Sequence, residues 1–289
     1  MENTVQEIVI GDIESYINLC MKLRSKQFWS FRGQRDYQWD LGPHIFDDSD
    51  GDLSLLNQED IHVKYRSKVK RSVNMFKRYF SESFEFQTLQ NKSDEWMWQF
   101  YAQHYGLKTM LLDWTSNPLV ALYFAVENVL SSSNNQDKIG AVWALNAGDS
   151  RVFTPNGNIN PMDIDIWKIV HPPPFAQIVP RMIRQSGKFT IHPDCEPIEG
   201  KLRSNDKLLK IIINDELSKD NTNPAERIRW QLGIMNIHHA SMFPESENIT
   251  KYLNKQWSLI STKEHLKTIE GIYYKPNQEY MNRTDSLEI

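Results

Sequence analysis

Residues 103–128 read QHYGLKTMLLDWTSNPLVALYFAVEN, and the order of signals in this run organises the chain around it. Just upstream, Trp96, Phe100 and His104 recur every fourth residue and predict a helix, which Gly106 ends in the left-handed conformation. Met110-Leu111-Leu112 is a short apolar run that predicts a buried strand delivering Asp113, Trp114 and Thr115 to its end. Asn117 suits an N-cap, and Pro118 suits the first helical position, where its missing N–H is no loss. Leu119, Leu122, Tyr123 and Val126 then supply the apolar side of a second helix. A polar cluster between a buried strand and a helix N-terminus suits a ligand or an anion, because free backbone N–H groups point there.

Toward the N-terminus, residues 5–10 predict an edge strand and Asp12 to Leu23 a helix. Phe28 to Arg32 predicts a strand with Phe28, Ser30 and Arg32 on one side and Trp29 and Phe31 on the other. Gly33 follows and would allow close backbone approach by a ligand. An arginine fork held there suits a phosphate or pyrophosphate; the competing role for Arg32 is a salt bridge to Asp36 or Asp113. Residues 47–60 predict a loop. Ile61 to Phe80 predicts a helix whose apolar stripe is Ile61, Tyr65, Val69, Val73, Phe76 and Phe80. Its other faces carry Lys64, Arg66, Lys68, Lys70, Arg71, Lys77 and Arg78, a candidate nucleic-acid surface centred on Lys64, Lys68, Lys70 and Arg71, or otherwise a solvated face.

Toward the C-terminus, Ser131 to Lys138 predicts a polar loop, Ile139 to Leu145 a central strand, and Asn156-Gly157 a tight turn. His171 to Phe175, with three consecutive prolines, predicts an extended rim. Short strands are expected at Lys188 to Ile191 and Leu208 to Ile213, a helix from Asn223 or Pro224, and a short amphipathic piece at Ile249 to Leu253. Helices packed on short strands with polar residues at their ends predict an α+β fold with a split, mixed β-sheet core and flanking helices. Residues 1–263 are expected to form one domain, with 264–289 a polar C-terminal tail.

The net charge of −4 makes the molecule as a whole no trap for polyanions, so any nucleic-acid contact must be local. Cys20 and Cys195 stand too far apart in sequence for a metal-ligand motif and fit a reducing compartment. The opening MENTVQEIVIGDIESY lacks a signal-peptide pattern, and no apolar run approaches the roughly 20 residues of a membrane helix; a cytoplasmic protein is expected, with no membrane partner. No metal-ligand spacing, P-loop, GxGxxG or Gly-x-Ser-x-Gly is present, so no metal is expected.

Phe31-Arg32-Gly33-Gln34 and the 103–128 stretch together resemble the FRG domain, a family named for that tripeptide. Arg181-x-x-x-Gln185-x-Gly187-x-Phe189-Thr190 and Leu232-Gly233-Ile234 with Phe243-Pro244 also resemble its landmarks, in the same order. The layout is similar to ADP-ribosyltransferases: a strand ending in Arg, a second strand running into an Ala-x-x-Phe-Ala helix, here Ala121 to Ala125, and a third position held by an acid, here Gln185.

That resemblance implies an ADP-ribosyltransferase-like fold and NAD as co-substrate. Arg32, with Gly33 and Gln34, would hold the pyrophosphate or the nicotinamide-side ribose. Thr115 and Asp113 would bind ribose or brace Arg32, and Tyr105, Trp114 or Tyr123 would stack on nicotinamide. Gln185 cannot supply the negative charge that stabilises a ribosyl cation, so Glu127, Glu245 or Asp113 would have to. His104 is a candidate acid–base group or phosphate ligand, or else a helix-end histidine bonded to backbone. The implied function is an effector of toxin or phage-defence type that moves ADP-ribose onto RNA or DNA in preference to protein and is restrained by an antitoxin-like partner. NAD hydrolysis and a non-catalytic nucleotide- or nucleic-acid-binding module are the rivals, with a metal-independent nuclease using His104 and Arg32 behind them.

Overall fold

Ala141–Asn146 (β4) is almost wholly apolar because it is covered on both faces, and the sheet is built outward from it. The computed structural model describes residues 5–24, 28–46, 50–83, 94–127, 139–148, 151–155, 159–172, 180–214 and 224–260. The tail beyond residue 260, the 131–138 loop, the Asn156-Gly157 turn and residues 173–175 of the rim lie outside them. Seven further strands, β1 (Gln6–Ile10), β2 (Ser30–Gln34), β3 (Leu111–Thr115), β5 (Val152–Phe153), β6 (Lys168–Val170), β7 (Gly187–Ile191) and β8 (Lys207–Ile213), complete one mixed sheet. Its order is β1-β8-β4-β2-β3-β7-β6-β5, with parallel pairs only at the two edges, β1 with β8 and β5 with β6.

Although the strands form one sheet, its middle is nearly parted. β2 pairs with β4 along its whole length and β3 pairs with β7 along its whole length. Between β2 and β3 the only paired register is Phe31 with Thr115. The expected split is therefore a splay inside a continuous sheet. Each half has its own helices. Ile13–Arg24 (α1), Pro118–Val126 (α4) and Pro224–Ile234 (α6) cover one half, through a core that includes Tyr16, Phe31, Leu122, Ile211 and Ile228. Gln58–Phe80 (α2) and Glu95–His104 (α3) cover the other, through Tyr65, Val69, Trp96, Phe100 and Phe189. A third cluster, with Trp114, Trp143, Trp167 and Leu41, spans both halves.

Local signals fix the helix ends. Asp94 caps α3 by accepting from the Trp96 N–H, and Gly106 closes it at φ +86°, while the Leu107 N–H bonds back to the Ala102 carbonyl at 2.9 Å. Asn117 caps α4, its Oδ1 accepting from the Leu119 N–H at 3.0 Å, and Pro118 follows. Asn117→Ala should lower stability by about 1 kcal/mol, read as a shifted urea midpoint.

Several expectations need correction. The 47–60 segment is not all loop: Leu53–Leu55 is a 3-10 turn, and α2 starts at Gln58, capped by Asn57. Asp113 is the middle residue of β3 rather than its end. The last helix runs from Ser246 to Ile260, longer than the apolar pattern showed (α8). β5 and β6 are two and three residues long, too short for alternation to reveal. Two short helices, Pro180–Arg184 (α5) and His239–Met242 (α7), complete the surroundings of the splay.

Candidate functional site

Where β2 and β3 part, a cleft of about 340 Å³ opens, within the usual size of ligand pockets. The two half-sheets supply Arg32, Gly33 and Gln34 from β2, and Asp113, Trp114 and Thr115 from β3. Gln103 and His104 enter from the end of α3, Val120, Phe124 and Glu127 from α4, and Arg181, Met182, Gln185 and Phe243 close the far side.

Arg32 bridges the splay. Its Nη1 donates to the Asp113 main-chain carbonyl at 2.7 Å, an acceptor that no strand hydrogen bond from β2 reaches. Neither expected salt bridge forms, since the bond goes to the backbone of Asp113 and not to a carboxylate. The Arg32 Nε is buried without a hydrogen-bond partner. Burial lowers the Arg32 pKa, and the nearby Asp113 carboxylate raises it in part. A guanidinium with a buried donor left over is equipped to receive an acceptor group.

The Asp113 carboxylate is exposed in the cleft and aimed by a short relay. Gln103 Nε2 donates to Asp113 Oδ2 at 2.8 Å, and Thr109 Oγ1 donates to Gln103 Oε1 at 2.7 Å. His104 lies beside it, with its Nε2 3.9 Å from Glu245 Oε1. Burial lowers the His104 pKa and the Arg181 charge lowers it further, against Glu245 and Asp113. A neutral imidazole at pH 7 can accept a proton. Of the three acids left open by the sequence, Asp113 and Glu127 line the cleft and Glu245 sits behind His104. Glu127 is held by the Tyr123 hydroxyl at 3.1 Å and by His239 Nδ1 at 3.4 Å.

Other predicted residues are in place but already occupied. The Gln34 side chain is buried, donating to the Asp40 carbonyl and accepting from Trp143 Nε1 at 2.7 Å, so it braces the sheet. Thr115 Oγ1 donates to the Gln185 carbonyl at 2.6 Å and accepts from the Asn117 N–H. It ties β3 to the start of β7. Gln185 Nε2 donates to the Met242 carbonyl at 3.1 Å, joining α5 to α7. Trp114 lines the cleft with its indole N–H bonded to Thr190 Oγ1.

Gly33 needs a different explanation from the ligand approach expected of it. A Cβ there would stand 1.9 Å from the Ala121 carbonyl oxygen, so the backbone that approaches is that of α4. Tyr123 is 1% exposed, in the core, and its hydroxyl serves Glu127. Tyr105 is exposed against Phe76 and Phe80, away from the cleft lining. The aromatic residues of the lining that are not buried are Trp39, Phe124 and Phe243, and Arg35 and Arg181 add charge. The Arg181 guanidinium lies 4.4 Å over the Phe243 ring, and Arg35 lies 5.7 Å from that of Trp39. Sequence reasoning missed Arg35, Trp39 and Phe124. Arg35 and Trp39 follow Gln34 closely enough to have been read as an Arg-x-x-x-Trp pair, whereas only the tertiary fold brings Phe243 to Arg181.

The basic helix is sorted by the structure as well. Lys64 donates to the Asp50 carbonyl and Lys68 pairs with the Asp50 carboxylate. Arg66 donates to the carbonyls of Met162, Ile164 and Pro193 and is part of the fold. Lys77 pairs with Glu95. Lys70, Arg71 and Arg78 are exposed around an open depression. Among the described residues no group of three or more His, Cys, Asp or Glu is placed to hold a metal ion, and no helix is long and apolar enough to cross a membrane. Both cysteines are free; burial pushes the Cys20 thiol up to about 11.

The family model of the FRG domain matches residues 27–134, from the approach to β2 to beyond α4, and supports the FRG family for this chain. The match contains Arg32, Gly33, Gln103, His104, Asp113 and Glu127, while Arg181, Gln185 and Phe243 fall outside it. No curated protein matches the chain, and no solved structure does.

Proposed function

We propose that this chain is an ADP-ribosyltransferase that takes NAD as donor and nucleic acid, RNA or DNA, as acceptor. The observation that carries the reading is Arg32: a half-buried guanidinium with a buried, unpartnered Nε, set in a cleft with two further arginines and two carboxylates. Arg32, Arg35 and Arg181 suit the pyrophosphate of a dinucleotide. Phe124, Phe243 and Trp39 offer faces for its rings. Asp113 or Glu127 would stabilise the positive charge that develops on the ribose as the bond to nicotinamide breaks and its electron pair leaves with the nicotinamide nitrogen. The acceptor oxygen or nitrogen then bonds the ribose carbon and gives its proton to neutral His104. This arrangement does not require an acid at position 185. An effector of toxin or phage-defence type acting in this way would need a restraining protein partner.

Incubation of the full chain with adenylate-labelled NAD and with RNA, DNA or protein tests the reading. Label is expected on one nucleic-acid class. Arg32→Ala and Arg32→Lys should each lose it by about 100-fold or more, since lysine keeps the charge but not the fork. The two variants should retain a cooperative melt. Consumption of NAD without labelled polymer would identify a hydrolase. Intact NAD that is nevertheless bound would favour the non-catalytic module, the reading that the engaged Gln185 carboxamide supports.

A further inference from the structure

We infer that the far wall of the cleft, from His239 to Glu245, is a strap that protonation of His104 and His239 draws tighter over the bound ligand. This gives the proposed ligand site a regulation and rests on that reading. The strap is α7 followed by Phe243, Pro244 and Glu245, and Phe243 is the part that lines the cleft. Its two ends carry histidine–glutamate pairs of opposite sense. At the first end the strap supplies the imidazole, His239 Nδ1, which lies 3.4 Å from Glu127 Oε1. At the other it supplies the carboxylate, Glu245 Oε1, which lies 3.9 Å from His104 Nε2. A charge-assisted N–H···O bond is about 2.8 Å long, so the strap stands about half an ångström short of closure at one end and about 1 Å short at the other. Its middle is pinned. Met242 is buried in the core around Leu122 and Ile228, and its carbonyl accepts from Gln185 Nε2. The strap therefore tightens rather than swings, carrying Phe243 with it between the Phe124 ring and the Arg181 guanidinium. His104 and Glu127 lie inside the region matched to the FRG domain, and both strap residues lie beyond it.

Charge on the imidazoles decides how firmly the ends close. A neutral ring beside a carboxylate makes a weak contact; an imidazolium makes a hydrogen bond roughly twice as strong as a neutral one. Burial and Arg181 of α5 oppose charge on His104, while Glu245 and Asp113 of β3 favour it. The proton therefore enters below the ordinary imidazole range, and the Glu245 end is slack at neutral pH. Glu245 is held ready as an anion: its Oε2 accepts from Asn248 Nδ2 at 3.0 Å, and its carbonyl begins α8, whose N-terminal dipole favours negative charge. His239 faces Glu127 and, at 3.4 Å, the Tyr123 hydroxyl of α4. His238 stands beside it, stacked on Tyr252 of α8, and Arg229 of α6 donates to the Glu127 main-chain carbonyl. In the proposed transfer His104 receives the acceptor's proton. The same proton would close the Glu245 end over the product, and release would wait for its loss.

The test is the dissociation rate of etheno-ADP-ribose from the full chain, by stopped flow between pH 8.0 and pH 5.0. Protonation of His104 is followed in parallel by the NMR shift of its ring. Dissociation is expected to slow by about 5-fold or more as His104 becomes charged. E245Q shifts that titration to lower pH, so rates are compared at equal protonation; there its change should stay under about 2-fold. Direct attraction between charged His104 and the diphosphate predicts the opposite, because E245Q leaves that attraction uncompensated and the pH effect intact. The strap is overturned by that result, or by a wild-type rate that ignores pH. A second readout needs no ligand. In methyl-labelled protein the Met242 methyl should shift in step with His104 in wild type and stay still in E245Q. If etheno-ADP-ribose binds at no pH, the dinucleotide reading fails and the Met242 methyl decides the strap: a signal that ignores His104 overturns it, and one that follows His104 keeps it as a wall of the cleft.

Discussion

Gly33→Ala is expected to destabilise the protein by about 3 kcal/mol or more, and to leave little folded protein at 37 °C if the starting stability is ordinary. The added Cβ would stand 1.9 Å from the Ala121 carbonyl oxygen and 2.7 Å from the Ala125 amide nitrogen. Those are backbone atoms of a buried helix, so no side chain can swing away. Gly140, just before the neighbouring strand β4, meets the same helix, and a Cβ there would be 2.1 Å from the Ala125 carbonyl oxygen. Ala121 and Ala125, one turn apart, thus lie directly on the backbones of β2 and β4. This contact brings Val120, Phe124 and Glu127 up to Arg32. Urea unfolding of Gly33→Ala measures the effect, and two comparisons locate its cause. Gly106→Ala meets nothing within 4 Å and should cost only about 1 kcal/mol for its positive φ. Ala121→Gly should not rescue Gly33→Ala, because the obstructing atom is the Ala121 carbonyl oxygen; a rescue would show that the helix is held away by its side chains instead.

Acid should destabilise the fold through His192. This side chain is 1% exposed, with Nε2 2.9 Å from Thr190 Oγ1, which itself accepts from the Trp114 indole N–H. The Thr190 hydroxyl has its own proton to give, and a neutral ring can accept it at Nε2. Burial pushes the His192 pKa down to about 3; Asp194 raises it in part, and Lys201 and Arg32 lower it further. The folded pKa lies below the unfolded value of about 6.5, so the unfolded chain binds the extra proton between them. The contribution of neutral His192 is then fully present above pH 6.5 and declines as pH falls toward 3. At about 1.4 kcal/mol per pH unit, the loss reaches about 3 kcal/mol at pH 4. His192→Gln, which keeps an acceptor for Thr190 and removes the titration, should flatten the fall in urea midpoint between pH 7 and pH 4. A variant profile as steep as wild type would place the acid sensitivity elsewhere, with His104, His171 and His238 the other histidines shifted in the same direction. Because Trp114 lines the cleft, the same protonation should loosen the wall of the site before the protein unfolds.

The 103–128 run shows how far local signals reach. The Asn117 cap, Pro118, the left-handed Gly106 and the buried β3 each follow from a side chain or a missing side chain acting within a few residues, and all four are found. The central place of β4 follows in the same way from an unbroken apolar run. The convergence of Arg32, His104, Asp113 and Gln185 on one cleft was also foreseeable, through the resemblance to FRG domains, whose model covers the first three.

Sequence could not settle what each of those residues would have left to give. Gln34, Thr115 and Gln185 have polar groups that pattern reading treats as available, yet each is engaged by partners from distant parts of the chain, at Trp143, at the Gln185 carbonyl and at Met242. Gly33 reads as room for a ligand, and that room is taken by α4. Lys64 and Lys70 are alike in sequence, and only the folded position of Asp50 separates them. By itself the sequence determined most of the longer elements, the caps around Asn117 and Gly106 and the α+β class, because those depend on periodicity and nearest neighbours; part of the cleft lining came only through the family resemblance, and Arg35, Trp39 and Phe124 only with the fold. Tertiary structure alone decided which donors stay unspent, with Arg32 Nε as the clearest case, because a hydrogen bond or a steric contact is settled by whichever distant atom arrives at that point in space.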